Sequence, residues 1–143
     1  MKRNHIVILA VALAMFGCAW LSIGDYDPAL DGGAAALKEK VATFLESLRE
    51  CAGTPEGEYA RHTGFYAEAR ADLAELRALA EVHAGNERTL RSLESIGENL
   101  DELEAIHRIG VTSAEVAIIA QLFDTQFRML AELEKAKQRK EED

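Results

Sequence analysis

Thr112–Leu133 reads "TSAEVAIIAQLFDTQFRMLAEL", and its spacing decides the fold class. Val116, Ile119, Phe123, Phe127, Leu130 and Leu133 recur at steps of three and four, which lines one face of a helix. Thr112 and Glu115 ahead of the run form a capping box, in which hydroxyl and carboxylate each satisfy a free backbone N–H. The pattern predicts a helix that fades into the charged end "KAKQRKEED", with 138–143 as a tail.

Reading back toward the N-terminus, the same periodicity recurs three times. A third helix, capped by Asn86 and ended by Gly110, buries Leu90, Leu93, Ile96, Leu100, Leu103 and Ile106. Thr54-Pro55-Glu56 is a helix-start signal of hydroxyl, first-turn proline and acid. The second helix it opens carries Tyr59, His62, Tyr66, Ala69, Leu73, Leu76, Ala80 and His83 on one stripe. The first helix, with Leu37, Val41, Phe44, Leu45 and Leu48, runs from about Asp31 or Ala34 to Cys51 and stops at Gly53. Alternation at period two is absent, and Ala, Leu and Glu dominate. Four amphipathic helices on short turns hide their stripes together as an all-α, antiparallel up-and-down four-helix bundle over 34–137, preceded by a turn-rich linker at 24–33.

Residues 1–23 have another character. Lys2 and Arg3 form a basic head, and Ile6 to Ile23, "IVILAVALAMFGCAWLSI", holds no charge. That is an export pattern. Three readings stand: a cleaved lipoprotein signal, an uncleaved anchor helix, since a span needs roughly 17–25 apolar residues, and ordinary cleavage near Ala12-Leu13-Ala14. Met15-Phe16-Gly17-Cys18 resembles the lipobox of bacterial lipoproteins. The resemblance implies lipidation of Cys18, which becomes the mature N-terminus. Ala19 after it, rather than an acid, implies sorting to the periplasmic face of the outer membrane. The whole chain is similar to small helical bacterial lipoproteins of unassigned role, a likeness that brings no active-site residues.

Lys2 and Arg3 are the only charges before Cys18, so removing those two takes the net charge from −9 to −11. An acidic surface repels phosphate backbones, which argues against nucleic-acid binding. With Cys18 acylated, Cys51 is a lone thiol, read as a partly buried structural one in preference to an intermolecular dimer bridge.

Chemistry-bearing patterns are sparse. His62 and His83 share a stripe but lie roughly 30 Å apart along a helix. Glu104-x-x-His107 occurs once, whereas di-iron bundles need the pair twice plus two more glutamates. Met129 sits off the core line, which disfavours it as a haem ligand beside His62, His83 or His107. Glu102 and Glu104 read as a solvated helix face. Asp25, Asp27 and Asp31 read as capping and turn residues rather than a calcium loop. No nucleophile elbow surrounds Ser47, Ser92, Ser95 or Ser113. No catalytic residue, metal site or cofactor is therefore expected.

One segment stands out for recognition. "GTPEGEYARHTGFY", Gly53 to Tyr66, holds three aromatics, a histidine and three glycines at a helix start. Its glycines point to close packing, and Tyr59, His62 and Tyr66 to a partner-binding patch. The expected function is a non-catalytic, membrane-tethered envelope module that binds another envelope protein. A small-ligand, metal or haem-binding bundle and an acidic inhibitor or immunity-type protein are the alternatives.

Overall fold

A computed structural model describes residues 23–142. The leader readings and Cys18 fall on residues outside those described, as does Asp143. Four helices make up most of the described chain: α1 Pro28–Cys51, α2 Thr63–Val82, α3 Glu87–Ile109 and α4 Ser113–Glu142. No strand occurs among the described residues, in keeping with the missing period-two alternation.

α1 starts before its apolar stripe does. Asp27 Oδ1 accepts from the backbone N–H of Ala29 at 2.8 Å and Leu30 at 3.4 Å, and Pro28 occupies the first turn, where it has no N–H to waste. Part of the expected linker is thus helix. Asp31 accepts from the Tyr26 hydroxyl at 3.0 Å. Leu30, Ala34, Leu37, Val41, Phe44, Leu45 and Leu48 form the buried face.

The second helix does not begin at Pro55. The Thr54 hydroxyl donates backward to the Cys51 carbonyl at 2.8 Å and makes no forward cap. Two 3₁₀ turns follow, Pro55–Gly57 and Tyr59–Arg61, and α2 starts only at Thr63. Gly57 explains the detour: it is buried against the Cys51 carbonyl, where an added Cβ would overlap backbone atoms. Cys51 is a free, half-buried thiol whose Sγ donates to the Ser47 carbonyl at 3.1 Å.

Asn86 does not cap α3 with its side chain. Its amide turns inward and donates to the Ala80 carbonyl at 2.9 Å. Gly85 before it adopts φ +86°, a left-handed conformation that closes the turn between α2 and α3. The capping box does form on α4: Glu115 Oε2 accepts from the Thr112 N–H at 2.8 Å, and Thr112 Oγ1 accepts from the Glu115 N–H at 3.3 Å. α4 has 30 residues and is about 45 Å long. Glu134 and Lys137 extend its buried stripe, and it runs past the expected end at 137, where Lys140 donates to the Ile23 carbonyl at 2.9 Å and Glu141 Oε1 accepts from the Tyr26 N–H at 2.6 Å.

α1 packs on α2 and α4, α2 on α3, and α3 on α4. One apolar cluster fills the centre, with contributions from all four helices. Each fully buried Leu, Ile or Phe there stabilises the fold by about 1.5–3 kcal/mol relative to exposure. None of the described helices is long and apolar enough to cross a membrane.

Candidate functional site

Hydrogen bonds define two ends of the molecule. At one end the Ser113 hydroxyl donates to the Arg49 carbonyl at 2.9 Å, and the two 3₁₀ turns pack under the last turn of α3. At the other, the Gly24 N–H donates to the Gly85 carbonyl at 3.0 Å, and Lys140 Nζ to the Ile23 carbonyl at 2.9 Å.

The first end holds a buried aromatic and ionic cluster. His107 is 2 % exposed. Its Nε2 lies 2.8 Å from the Gly57 carbonyl and can only donate there. Its Nδ1 therefore accepts from the Tyr66 hydroxyl at 2.7 Å. Burial pushes the His107 pKa down, and His62 adds to this. The ring is thus neutral with both nitrogens engaged, leaving no lone pair for a metal ion. Burial also raises the Tyr66 pKa.

Glu104 sits one turn before His107 and is 8 % exposed. This corrects the solvated-face reading for Glu104, while Glu102 is exposed. It accepts from the Tyr59 hydroxyl, from Arg70 Nη2 and, at 2.7 Å, from Arg108 Nη2. These three bonds hold its carboxyl at about 2, well below the ordinary range. The same carboxylate raises the Tyr59 pKa. Arg108 also covers the Tyr59 ring, 4.6 Å from its centroid, a cation–π contact. Arg70 reaches Asp101 at 2.6 Å on the solvent side.

The sequence-derived patch residues come together here. Tyr66 is 0 % exposed, and its ring lies 5.8 Å from that of Tyr59. Tyr59 and His62 are half-buried. The His62 ring stands edge-on to Phe44 at 5.6 Å, and Phe44 stacks on Phe65 at 3.6 Å. Tyr66 therefore works as an interior support, while Tyr59 and His62 reach the surface. Beside them opens a groove of about 640 Å³ lined by Pro55, Glu58, Tyr59, Arg108, Ile109 and Val111. Ile109 is 87 % exposed. His83 lies exposed beyond the end of α2, apart from this cluster. Among the described residues no three His, Cys, Asp or Glu side chains are grouped to hold a metal ion.

The other end holds a polar cluster that the sequence reading missed. Lys137 Nζ donates to Asn86 Oδ1 at 2.7 Å, Thr89 Oγ1 at 2.8 Å and Glu134 Oε1 at 2.7 Å. The Thr89 hydroxyl donates to the same Glu134 oxygen at 2.9 Å. All four residues are buried. The available signal was spacing: Glu134 and Lys137 stand four and seven residues after Leu130, on the apolar stripe. For Arg108 the signal was its i,i+4 relation to Glu104.

No family model matches the chain, and neither a curated protein nor a solved structure matches it.

Proposed function

We propose that this chain is an exported, membrane-tethered helical module that binds another envelope protein through the Tyr59–His62–Ile109 end, without catalysis. The tether is Cys18, lipidated in the manner of the lipoproteins its lipobox-like segment resembles. The helices take an antiparallel up-and-down order. In support of that order, the start of α4 bonds to the end of α1, and the end of α4 bonds to the lead-in of α1.

One observation carries the functional reading: the lead-in is clamped at one end of the bundle and the groove lies at the other. Four residues separate Cys18 from Ile23, a reach of at most about 18 Å for five steps. The Lys140 and Gly85 contacts then hold that end toward the lipid surface. α3, with 23 residues, carries the groove about 35 Å further out. A tethered protein that recruits a partner needs its recognition surface away from the headgroups, and this placement supplies it. The groove joins an aromatic ring and a guanidinium, residue types favoured at interface centres, beside an exposed isoleucine.

The test has two arms. Intact mass of native chain from the membrane fraction should give an acylated Cys18, and Cys18→Ser should abolish the modification. In the same membranes, a photo-crosslinker at position 109 should give a discrete adduct that Tyr59→Ala removes, and one at mid-bundle position 75 should give none. A soluble native chain retaining residues 1–17 would refute the tether. Equal labelling from positions 109 and 75 would refute the recognition end.

A further inference from the structure

The face shared by α3 and α4 presents an uncovered apolar row. Ile118, Leu122 and Met129 are 68, 45 and 65 % exposed, and half-buried Leu133 continues the line. Their steps of four, seven and four residues keep them on one side of α4, apart from its core stripe of Val116, Phe123, Phe127 and Leu130. A groove of about 440 Å³ runs beside the Met129–Leu133 half of the row, with Arg88 and Arg91 on its α3 wall.

The charges along this face are segregated. On α3, Arg88, Arg91, Ser95, Glu98 and Glu102 follow each other at steps of three and four, so they share one side of the helix. The pairs Asn86–Lys137, Thr89–Glu134 and Ser95–Gln126 set the register against α4. Arg88 and Arg91 therefore flank the Met129–Leu133 half. Glu102, about two turns beyond Ser95, flanks the Ile118–Leu122 half. Both arginines are exposed, and neither enters an ion pair among the described residues.

We infer that this face is a two-fold interface between copies of this chain, with α4 packed antiparallel on the α4 of a second copy; the two lead-ins then lie at opposite ends of the pair, so one lipid surface holds the Cys18 tether of only one copy in each pair. An axis between Thr125 and Gln126 sets Ile118 against the second copy's Leu133 and Leu122 against its Met129. The same axis brings Arg91 level with the second copy's Glu102, and Glu102 level with its Arg91. A face basic at one end and acidic at the other is self-complementary only in this orientation, which is the property an isologous interface requires. A chain of net charge −9 otherwise repels its own copies. Here the repulsion is replaced by two symmetry-related pairs. The row spans about 22 Å, short of a standard stable interface, so the dimer is weak, with Kd in the range of about 1–100 µM.

Charge exchange tests this without touching the core. Sedimentation equilibrium of the purified full chain in density-matched mild detergent should show a monomer–dimer equilibrium. Arg91→Glu alone and Glu102→Arg alone should each weaken it about tenfold or more, because each creates two like-charge contacts. An equal mixture of the two variants should restore association to near the parent level, since both contacts are then of opposite sign. Unchanged circular dichroism of each variant confirms that the fold is intact. A parent that stays monomeric at about 300 µM would overturn the inference and leave the face to another occupant. Single variants that associate like the parent, or a mixture that associates no better than its components, would overturn it equally.

Discussion

Lys137 offers the sharpest test of the energetics. It is 1 % exposed and Glu134 is 0 % exposed. Its three ammonium protons go to Asn86, Thr89 and Glu134. Lys137→Met keeps most of the stem volume and deletes every donor. It strands the Glu134 carboxylate in the interior, where one oxygen already has no partner. Breaking a buried pair in this way costs about 3–5 kcal/mol, a large share of the roughly 5–15 kcal/mol that holds a small domain folded. Glu134→Leu combined with Lys137→Met removes both charges. That double variant should recover most of the loss, leaving about 1–2 kcal/mol for the unpaired Thr89 and Asn86 groups. Lys135→Met is the control on the same helix. Its partner Glu132 stands at 3.0 Å, but the two side chains are 57 and 59 % exposed, so the change should cost under about 1 kcal/mol. Urea unfolding followed by far-UV circular dichroism gives all three values. If Lys137→Met falls within about 1 kcal/mol of Lys135→Met, or the double variant is no better than the single, the buried-pair argument is wrong.

Stability should fall in two steps on acidification. His107 has a lowered folded pKa, so its contribution is complete above the unfolded value of about 6.5 and declines as pH drops through it, because the unfolded chain takes up the proton first. Glu104, held at about 2 against an ordinary 4.5, adds a second loss as pH falls from about 4.5 toward 2. The full shift corresponds to about 3 kcal/mol, but Arg70 and Arg108 are 42 and 57 % exposed, and screening reduces this to about 1–2 kcal/mol. In a pH series of urea midpoints, Glu104→Gln should flatten the lower step and spare the upper; a lower step of unchanged size would count against it. The two glycines of the 3₁₀ region should part company in thermal melts. Gly57→Ala, whose Cβ meets the Cys51 carbonyl, should destabilise by about 1–3 kcal/mol, whereas Gly64→Ala, with nothing within 4 Å of its Cβ, should be neutral or stabilise by about 0.5 kcal/mol.

The helical class was legible because apolar spacing is a local property: four stripes at steps of three and four leave little else to build. The ends of the helices were less so. Asp27 rather than Asp31 caps α1 because proline at the next position suits a first turn. Thr54-Pro55-Glu56 looked like a helix start, yet the Thr54 hydroxyl turns back to Cys51 and Gly57 must pass under a carbonyl. That contact lies across a loop, where periodicity carries no information. Within the candidate site, Tyr59, His62 and Tyr66 were readable as an aromatic stripe. What each does depends on α3, 41 to 45 residues away in sequence for the Tyr66–His107 and Tyr59–Glu104 bonds. Glu134 and Lys137 were hidden for a different reason. Charged residues near a chain end are solvated far more often than not, and only their place on the stripe of Phe127 and Leu130 betrays them.

The two polar clusters also answer a question that the apolar core leaves open. Leu- and Ala-rich stripes pack about as well after a helix slides by one turn, since leucine meets leucine again. A slide of α4 along α3 by one turn moves Lys137 about 5.4 Å from Asn86 and Thr89 and leaves its buried ammonium with Glu134 of the same helix as its one acceptor of the three. A slide of α3 along α2 parts His107 from Tyr66 and Glu104 from Arg70 in the same way. Each cluster thus penalises the wrong register by about 1–3 kcal/mol for each buried polar group it leaves unpaired at its own end, whatever it adds to stability in the right one. The groove beside Tyr59 and Arg108 is formed by α3 and the 3₁₀ turns together, so its shape depends on the His107–Gly57 bond. The clamp on Ile23 and Gly24 depends on the turn that Asn86 anchors. Loss of either cluster should therefore blur one end of the bundle while the central leucines stay packed, and the proposed recognition surface and the proposed tether would fail separately.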